Sequence, residues 1–336
     1  MSAPASVPPN VPPERTGAPP PLSPLGLGAW SFGGVGWGPQ DDRDSIAAIR
    51  RSVDLGINWI DTAAVYGDGH AESVIGAALA DLPTDERPLV FTKGGVRIDG
   101  RTGKTYRDLA PASLRAECDQ SLRRLRADHI DVYQLHWPVE DSSVIERAWQ
   151  TLGELQDEGK IRWAGVSNFD LPALERCAEI RPIDFVQAPL SLLERRTCDS
   201  VLPWAAANAV ALLAYSPLES GLLSGRFSRA RLAALPPEDW RRHRAQFQSP
   251  LFERALELVE RLRPIAADLD VSVPELAIAW TLSRHPVTRA IVGVRRAAQV
   301  ESLVGAGAVS LGTDALEAIA IAIAQTGAGA GPAIGE

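Results

Sequence analysis

Short apolar runs recur along the chain, each bounded by turn residues and separated from the next by a longer segment whose apolar positions repeat at helical spacing. The runs predict strands over residues 25–28, 57–61, 89–93, 130–136, 163–167, 185–188, 211–215 and 290–293. Between them, residues 42–55, 112–126 and 143–158 show amphipathic helix patterns, and Gly56 and Gly159 stand where the first and third should end. A repeating strand-then-helix unit demands right-handed crossovers and a parallel sheet. A series of this length can close into a barrel of roughly 250 residues. The expected fold is therefore a single-domain α/β (β/α)8 barrel over residues 23–325. An open doubly wound sheet is the alternative. It is weakened because Gly26 and Gly28 lack the third glycine that a dinucleotide-binding turn places before its helix.

Both ends depart from this rhythm. Residues 1–22 are rich in proline, which removes backbone donors and favours extended geometry, so a disordered arm is expected. Residues 326–336 are rich in glycine and alanine and read as a flexible tail. The start has no basic segment leading into an apolar run, and no later stretch resembles a membrane span. Cys118, Cys177 and Cys198 form neither a disulfide framework nor a zinc motif, which directs the expectation to a reducing cytoplasm and to no metal site. A net charge of -8 argues against nucleic acid as a partner and leaves small molecules as the better class.

A barrel carries its chemistry where the strands end. The second strand runs into IDTAAVYG, the third into FTKGG and the fourth into YQLHWP, bringing Asp61, Tyr66, Lys93 and His136 to one rim. A phenol titrates near 10, and a neighbouring ammonium lowers that value, so Lys93 would make Tyr66 a better proton donor to a carbonyl oxygen. Asp61 would orient Lys93, and His136 would hydrogen-bond the same oxygen. Singly, each has a plainer reading: a helix cap, a packed aromatic, a rim charge and a satisfied core histidine. Lysine is scarce, however, occurring only at 93, 104 and 160 in a chain that otherwise uses arginine, and arginine does not replace a compact ammonium.

With these four motifs in place, the sequence resembles the aldo-keto reductase superfamily from Leu25 to about Leu303. The resemblance implies that Asp61, Tyr66, Lys93 and His136 form a catalytic tetrad with Tyr66 as general acid. Proton donation also needs a hydride, and no cysteine or metal-ligand cluster in the sequence supplies electrons, so a nicotinamide cofactor is expected. By resemblance, Ser167, Asn168 and Gln187 hold its carboxamide, Tyr215 stacks on its ring, and the loop containing Ser216, Leu218, Ser220 and Gly221 wraps its pyrophosphate. Trp30 and Asp61 complete the nicotinamide end. Gly293 permits close approach, Arg295 with Arg296 suits the 2′-phosphate that distinguishes NADP(H), and Gln299 matches an adenosine contact. Ser302 and Leu303 replace the acid and asparagine of many relatives.

Trp30, Phe32, Trp37 and Trp137 are candidates for an aromatic substrate pocket, with core packing as the equal alternative, and His70 is a further candidate or simply a helix-start residue. Residues 224–250, including DWRRHRAQF, either cover the site or form a solvated face. Many relatives have an amino-terminal hairpin under the barrel; the prolines predict its absence here. The expected activity is reduction of a small carbonyl substrate with NADP(H). Two rival readings are an oxidative alcohol or sugar dehydrogenase and a cofactor-sensing subunit similar to potassium-channel β-subunits.

Overall fold

The computed structural model describes residues 19–285 and 288–329. Eight parallel strands close into a barrel: β1 (Leu25–Gly28), β2 (Trp59–Asp61), β3 (Leu89–Gly94), β6 (Ile130–Leu135), β7 (Ile161–Ser167), β8 (Phe185–Pro189), β9 (Ala211–Tyr215) and β10 (Thr288–Gly293). They are ordered β1-β10-β9-β8-β7-β6-β3-β2 around the ring. An antiparallel hairpin, β4 (Val96–Ile98) with β5 (Thr105–Arg107), interrupts the alternation after β3. It has no counterpart in the expected elements, because its strands are three residues each, too short to stand out as strand runs in the sequence.

Helices form the outer ring, and their sequences explain how they start and what they bury. Asp41 caps the helix Asp42–Asp54 by accepting from the Arg43 amide, and its buried face of Ser45, Ala48, Ile49 and Ser52 follows the three-to-four spacing. Asp141 does the same for Ser142–Asp157, which buries Ile145, Ala148, Trp149, Leu152 and Leu155.

Inside the barrel the period of two along each strand sets two successive layers. Trp59, Phe91, Val132, Trp163, Phe185, Leu213 and Ile291 form one apolar cluster at the lower level. Two residues further along the same strands stand Asp61, Lys93, Gln134, Gly165, Gln187, Tyr215 and Gly293. A packed apolar floor thus lies directly beneath a polar layer. Gly26 makes room for this packing, since a Cβ there would lie 2.3 Å from the Trp59 ring.

The floor is closed without strands in residues 19–24. Leu22 packs against the lower cluster, and the Trp59 indole donates to the Ser23 carbonyl at 3.1 Å. Asn58 Nδ2 donates to the Pro21 carbonyl at 2.9 Å, and the Ala290 amide to that of Pro24. The ordered barrel therefore begins before residue 23, within the stretch expected to be a disordered arm; residues 1–18 of that arm lie outside the described residues. At the other end, the helix Thr313–Thr326 is followed by Gly327–Gly329, and buried Ala328 accepts through its carbonyl from Arg195, so the tail is fixed that far. Residues 330–336 lie outside the described residues. No single helix among the described residues is long and apolar enough to cross a membrane.

Candidate active site

The polar layer rises to a cluster at the carboxyl ends of the strands. Lys93 Nζ donates to Asp61 Oδ1 at 2.9 Å, Asp61 Oδ2 at 2.7 Å and the Thr62 carbonyl at 2.8 Å, and Gln187 Nε2 donates to Asp61 Oδ1 at 2.7 Å. Both charged side chains are essentially inaccessible, at 0% and 6% exposure, so the pair is held by geometry that satisfies the ammonium completely. Burial pushes the Asp61 carboxyl up and the Lys93 ammonium down, and each partner pulls the other back.

Tyr66 stands beside this pair, with Lys93 Nζ 5.3 Å from its ring centroid. Its position depends on two glycines. The turn Trp30–Gly33 after β1 lies backbone-to-backbone on Tyr66–Gly67, and a Cβ at Gly33 or Gly67 would come within 2.7 Å or 2.4 Å of the opposing main chain. His136 follows β6 and meets Tyr66 edge-on, with ring centroids 5.8 Å apart. Burial and then the Lys93 charge hold the imidazole well below its ordinary value, so it is neutral near pH 7. Its buried Nδ1 has no hydrogen-bond partner among the described residues.

The four residues therefore converge, but the expected tuning of Tyr66 does not hold. Burial, followed by the Asp61 charge, pushes the phenol well above 10. The Lys93 ammonium is spent on Asp61 and faces the ring of Tyr66, so desolvation dominates and Tyr66 is firmly protonated.

The residues expected at the nicotinamide end are close together and bonded to one another. Asn168, in the left-handed region at φ 64°, donates from Nδ2 to the His136 carbonyl and to Ser167 Oγ, both at 3.0 Å, and accepts from the Tyr215 hydroxyl at 2.8 Å. The following loop has Ser216, Glu219, Ser220 and Gly221 at positive φ, and the Glu219 and Gly221 amides donate to the Ser216 and Leu218 carbonyls. Leu218 packs on the core. Glu219 is buried beneath this loop and accepts from Ser191 Oγ at 3.0 Å; burial lifts its carboxyl to about 8.

At the end of β10, Gly293 borders open space. Arg295 is not free there: its guanidinium donates to Gln40 Oε1 at 2.7 Å, to the Trp37 carbonyl at 3.1 Å and to the Pro39 carbonyl. Gln299 accepts from the Arg295 amide at 2.8 Å. Arg296 is the more accessible cation, 75% exposed and 3.4 Å from Asp44.

The aromatic candidates separate. Trp30 is 39% exposed with its ring centroid 6.1 Å from that of Tyr66. Phe32 is fully buried in the core and lines no opening, because its side chain packs inward from the turn that supports Tyr66. Trp137 carries the Arg107 guanidinium over its ring at 5.0 Å. His70 is the surface helix-start residue, bonded to Asp42 at 2.8 Å.

Residues 224–250 hold the groups that the sequence did not resolve. Trp240 lies 5.1 Å from Trp30 and 5.4 Å from Trp37, and its amide donates to the Gly36 carbonyl. Arg241 pairs with buried Asp239 at 2.6 Å, covers the Trp37 ring at 5.0 Å and reaches the Ser220 carbonyl at 3.4 Å. Asp239, Trp240 and Arg241 thus join the loop after β1 to the loop after β9, while much of the rest of the stretch is exposed. The signal available in DWRRHRAQF was a tryptophan among arginines, a pairing suited to cation–π contact. Among the described residues no group of three or more His, Cys, Asp or Glu side chains is arranged to hold a metal ion.

Comparison with known proteins agrees with this architecture. The model of the Aldo/keto reductase family matches residues 24–324. The chain is 36% identical over 281 residues to the aldo-keto reductase YhdN of Bacillus subtilis (strain 168), covering 83% of each chain. It is 33% identical over 303 residues to the NADH-specific methylglyoxal reductase of Escherichia coli (strain K12), covering 86% of this chain and 91% of that one. Among solved structures, the glycerol dehydrogenase AKR11B4 from Gluconobacter oxydans superposes with a TM-score of 0.85 at 35% identity, covering 96% of this chain and 97% of that one.

Proposed function

The chain belongs to the aldo/keto reductase family, and from that membership we propose that it reduces aldehydes or ketones to alcohols with NADP(H), Tyr66 acting as the general acid. The observation that carries the reading is the convergence of Tyr66, His136 and the Lys93–Asp61 pair at one barrel mouth. Three features fit a nicotinamide dinucleotide. Thr62 Oγ1 and His136 Nδ1 are buried without partners among the described residues, the loop after β9 offers successive positive-φ residues, and Gly293 leaves open space. When bound, the cofactor supplies the hydride.

The protein's own groups do the rest. Tyr66, kept protonated by burial, donates its hydroxyl proton to the carbonyl oxygen as negative charge develops there. Neutral His136 orients that oxygen without competing as an acid. Asp61 fixes Lys93 against the face of the Tyr66 ring, and the pair holds the phenol in place. Ser167, Asn168 and Gln187 would hold the cofactor's carboxamide, and Tyr215 would flank its ring. Arg296 is the open cation for the 2′-phosphate, while Arg295 holds the wall beside it. Trp30 and Trp137 border the substrate.

The chemistry is reversible, and relatives named as a methylglyoxal reductase and a glycerol dehydrogenase suit small oxygenated substrates in either direction. The test is a titration with NADPH and NADH followed by a carbonyl panel with the preferred nucleotide. We expect tighter NADPH binding, and Tyr66→Phe should lower kcat about a hundredfold to ten-thousandfold with NADPH affinity retained. Wild-type turnover by Tyr66→Phe would refute the assignment. Tight cofactor retention without turnover would favour a sensing subunit.

A further inference from the structure

Arg244 is a half-buried guanidinium with no side-chain hydrogen bond or ion pair among the described residues. Its guanidinium lies 5.1 Å from the Trp240 ring centroid. Trp240 in turn contacts Trp30 at 5.1 Å, and Trp30 contacts Tyr66 at 6.1 Å, so an aromatic wall leads from the proton donor to this cation. Arg244 is also near enough to Tyr215 for its charge to favour the ionised form of that phenol.

The neighbouring charges do not neutralise it. Arg241 is already paired with Asp239, and Arg196 with Glu194. Glu219, the other carboxyl near Tyr215, is buried and bonded to Ser191. Across the mouth, Arg107 also stacks on a tryptophan, but it donates to the Pro138 carbonyl and so has a partner. Arg244 is thus a half-buried cation on the face of Trp240, two aromatic rings away from the reactive phenol, with a guanidinium fork open to an incoming anion.

We propose that Arg244, backed by Trp240, binds an anionic group of the substrate, so that the preferred substrates are carbonyl compounds bearing a carboxylate or phosphate several bonds from the reacting carbon. The planar fork of a guanidinium matches either oxyanion bidentately, and the indole face holds that fork in one plane. The apolar wall formed by Trp30 and Trp240 suits the spacer between the anion and the carbonyl. This assignment rests on the carbonyl reductase reading above and adds the substrate class.

Two measurements test it. In steady state, kcat/KM is compared for 4-carboxybenzaldehyde and benzaldehyde, and for succinic semialdehyde and butanal, in the wild type and in Arg244→Leu. The wild type should favour the charged member of each pair, mainly through KM, and Arg244→Leu should cut that preference by about tenfold or more. Glyceraldehyde 3-phosphate against glyceraldehyde distinguishes phosphate from carboxylate as the natural anion. Equal ratios in the two proteins would overturn the proposal.

The second measurement needs no turnover. Terephthalate should quench the tryptophan fluorescence of the NADP+ complex of the wild type at concentrations about tenfold lower than for Arg244→Leu. If no carbonyl is reduced but this difference persists, the catalytic reading fails and the anion site stands. If carbonyls are reduced but neither charge preference nor quenching depends on Arg244, only the anion site fails. A loss of NADPH affinity in Arg244→Leu without loss of charge preference would assign the guanidinium to the cofactor and likewise overturn the proposal.

Discussion

Glu219 shows how strongly burial acts on a single residue near this site. It is 4% exposed, its carboxyl is lifted to about 8, and Ser191 Oγ is its side-chain hydrogen-bond donor. A carboxyl whose folded value is raised binds more protons in the folded than in the unfolded state throughout the interval between the two values. The contribution of Glu219 to stability is therefore greatest below the ordinary carboxylate range and declines as pH rises from there through about 8. Glu219→Gln keeps a side chain able to bond Ser191 and removes the titration. Thermal unfolding between pH 5 and pH 8.5 should show a smaller fall in Tm for the variant than for the wild type; parallel curves would show that Glu219 is not the protonated acid of this loop. Tyr66 obeys the same physics. Its type and position were readable from the motif around it, whereas its protonation was not, because the nearest charge was legible in the sequence and the depth of burial was not.

At the scale of elements, the strands were readable because each is a short apolar run with inward residues every second position. The Asp61, Lys93 and Gln187 positions follow from Trp59, Phe91 and Phe185 by counting two. The hairpin β4–β5 and the stretch 224–250 were not, since short polar segments are organised by contacts made elsewhere in the fold. Arg241 is the centre of one such contact. It pairs with Asp239, whose side chain is 1% exposed, and bridges the loop after β1 to the loop after β9. Arg241→Ala leaves a buried carboxylate unpaired, at a cost of roughly 3–5 kcal/mol. Asp239→Asn combined with Arg241→Met removes both charges and should recover most of that loss. In hydrogen exchange, amides in residues 34–40 and 216–221 should lose protection in the single variant first. Unchanged exchange in both loops, with Tm unchanged, would mean that the bridge does not hold them.

For the whole molecule, the barrel was legible because its closure needs only eight strands of one type in regular succession, and the motifs at the strand ends named residues that converge at one mouth. The floor was less so. Proline content argues against strands, but it says nothing about whether the end of such a segment is tethered. Here Leu22 seals the apolar cluster formed by all seven of its barrel residues, while Asn58 and Trp59 bond the backbone of Pro21 and Ser23. The seal lies beneath the same strands that carry Asp61, Lys93 and Gln187 at their upper ends, so loosening it disturbs stability before it disturbs chemistry. Leu22 is only partly buried, so Leu22→Ala should cost about 1–2 kcal/mol, below the range for a fully buried leucine. Removal of residues 2–18 should leave Tm nearly unchanged, and removal of residues 2–24 should lower it by much more than Leu22→Ala does. Equal melting of the two truncated chains would show that the floor is closed by the strands alone and that residues 19–24 add nothing to it.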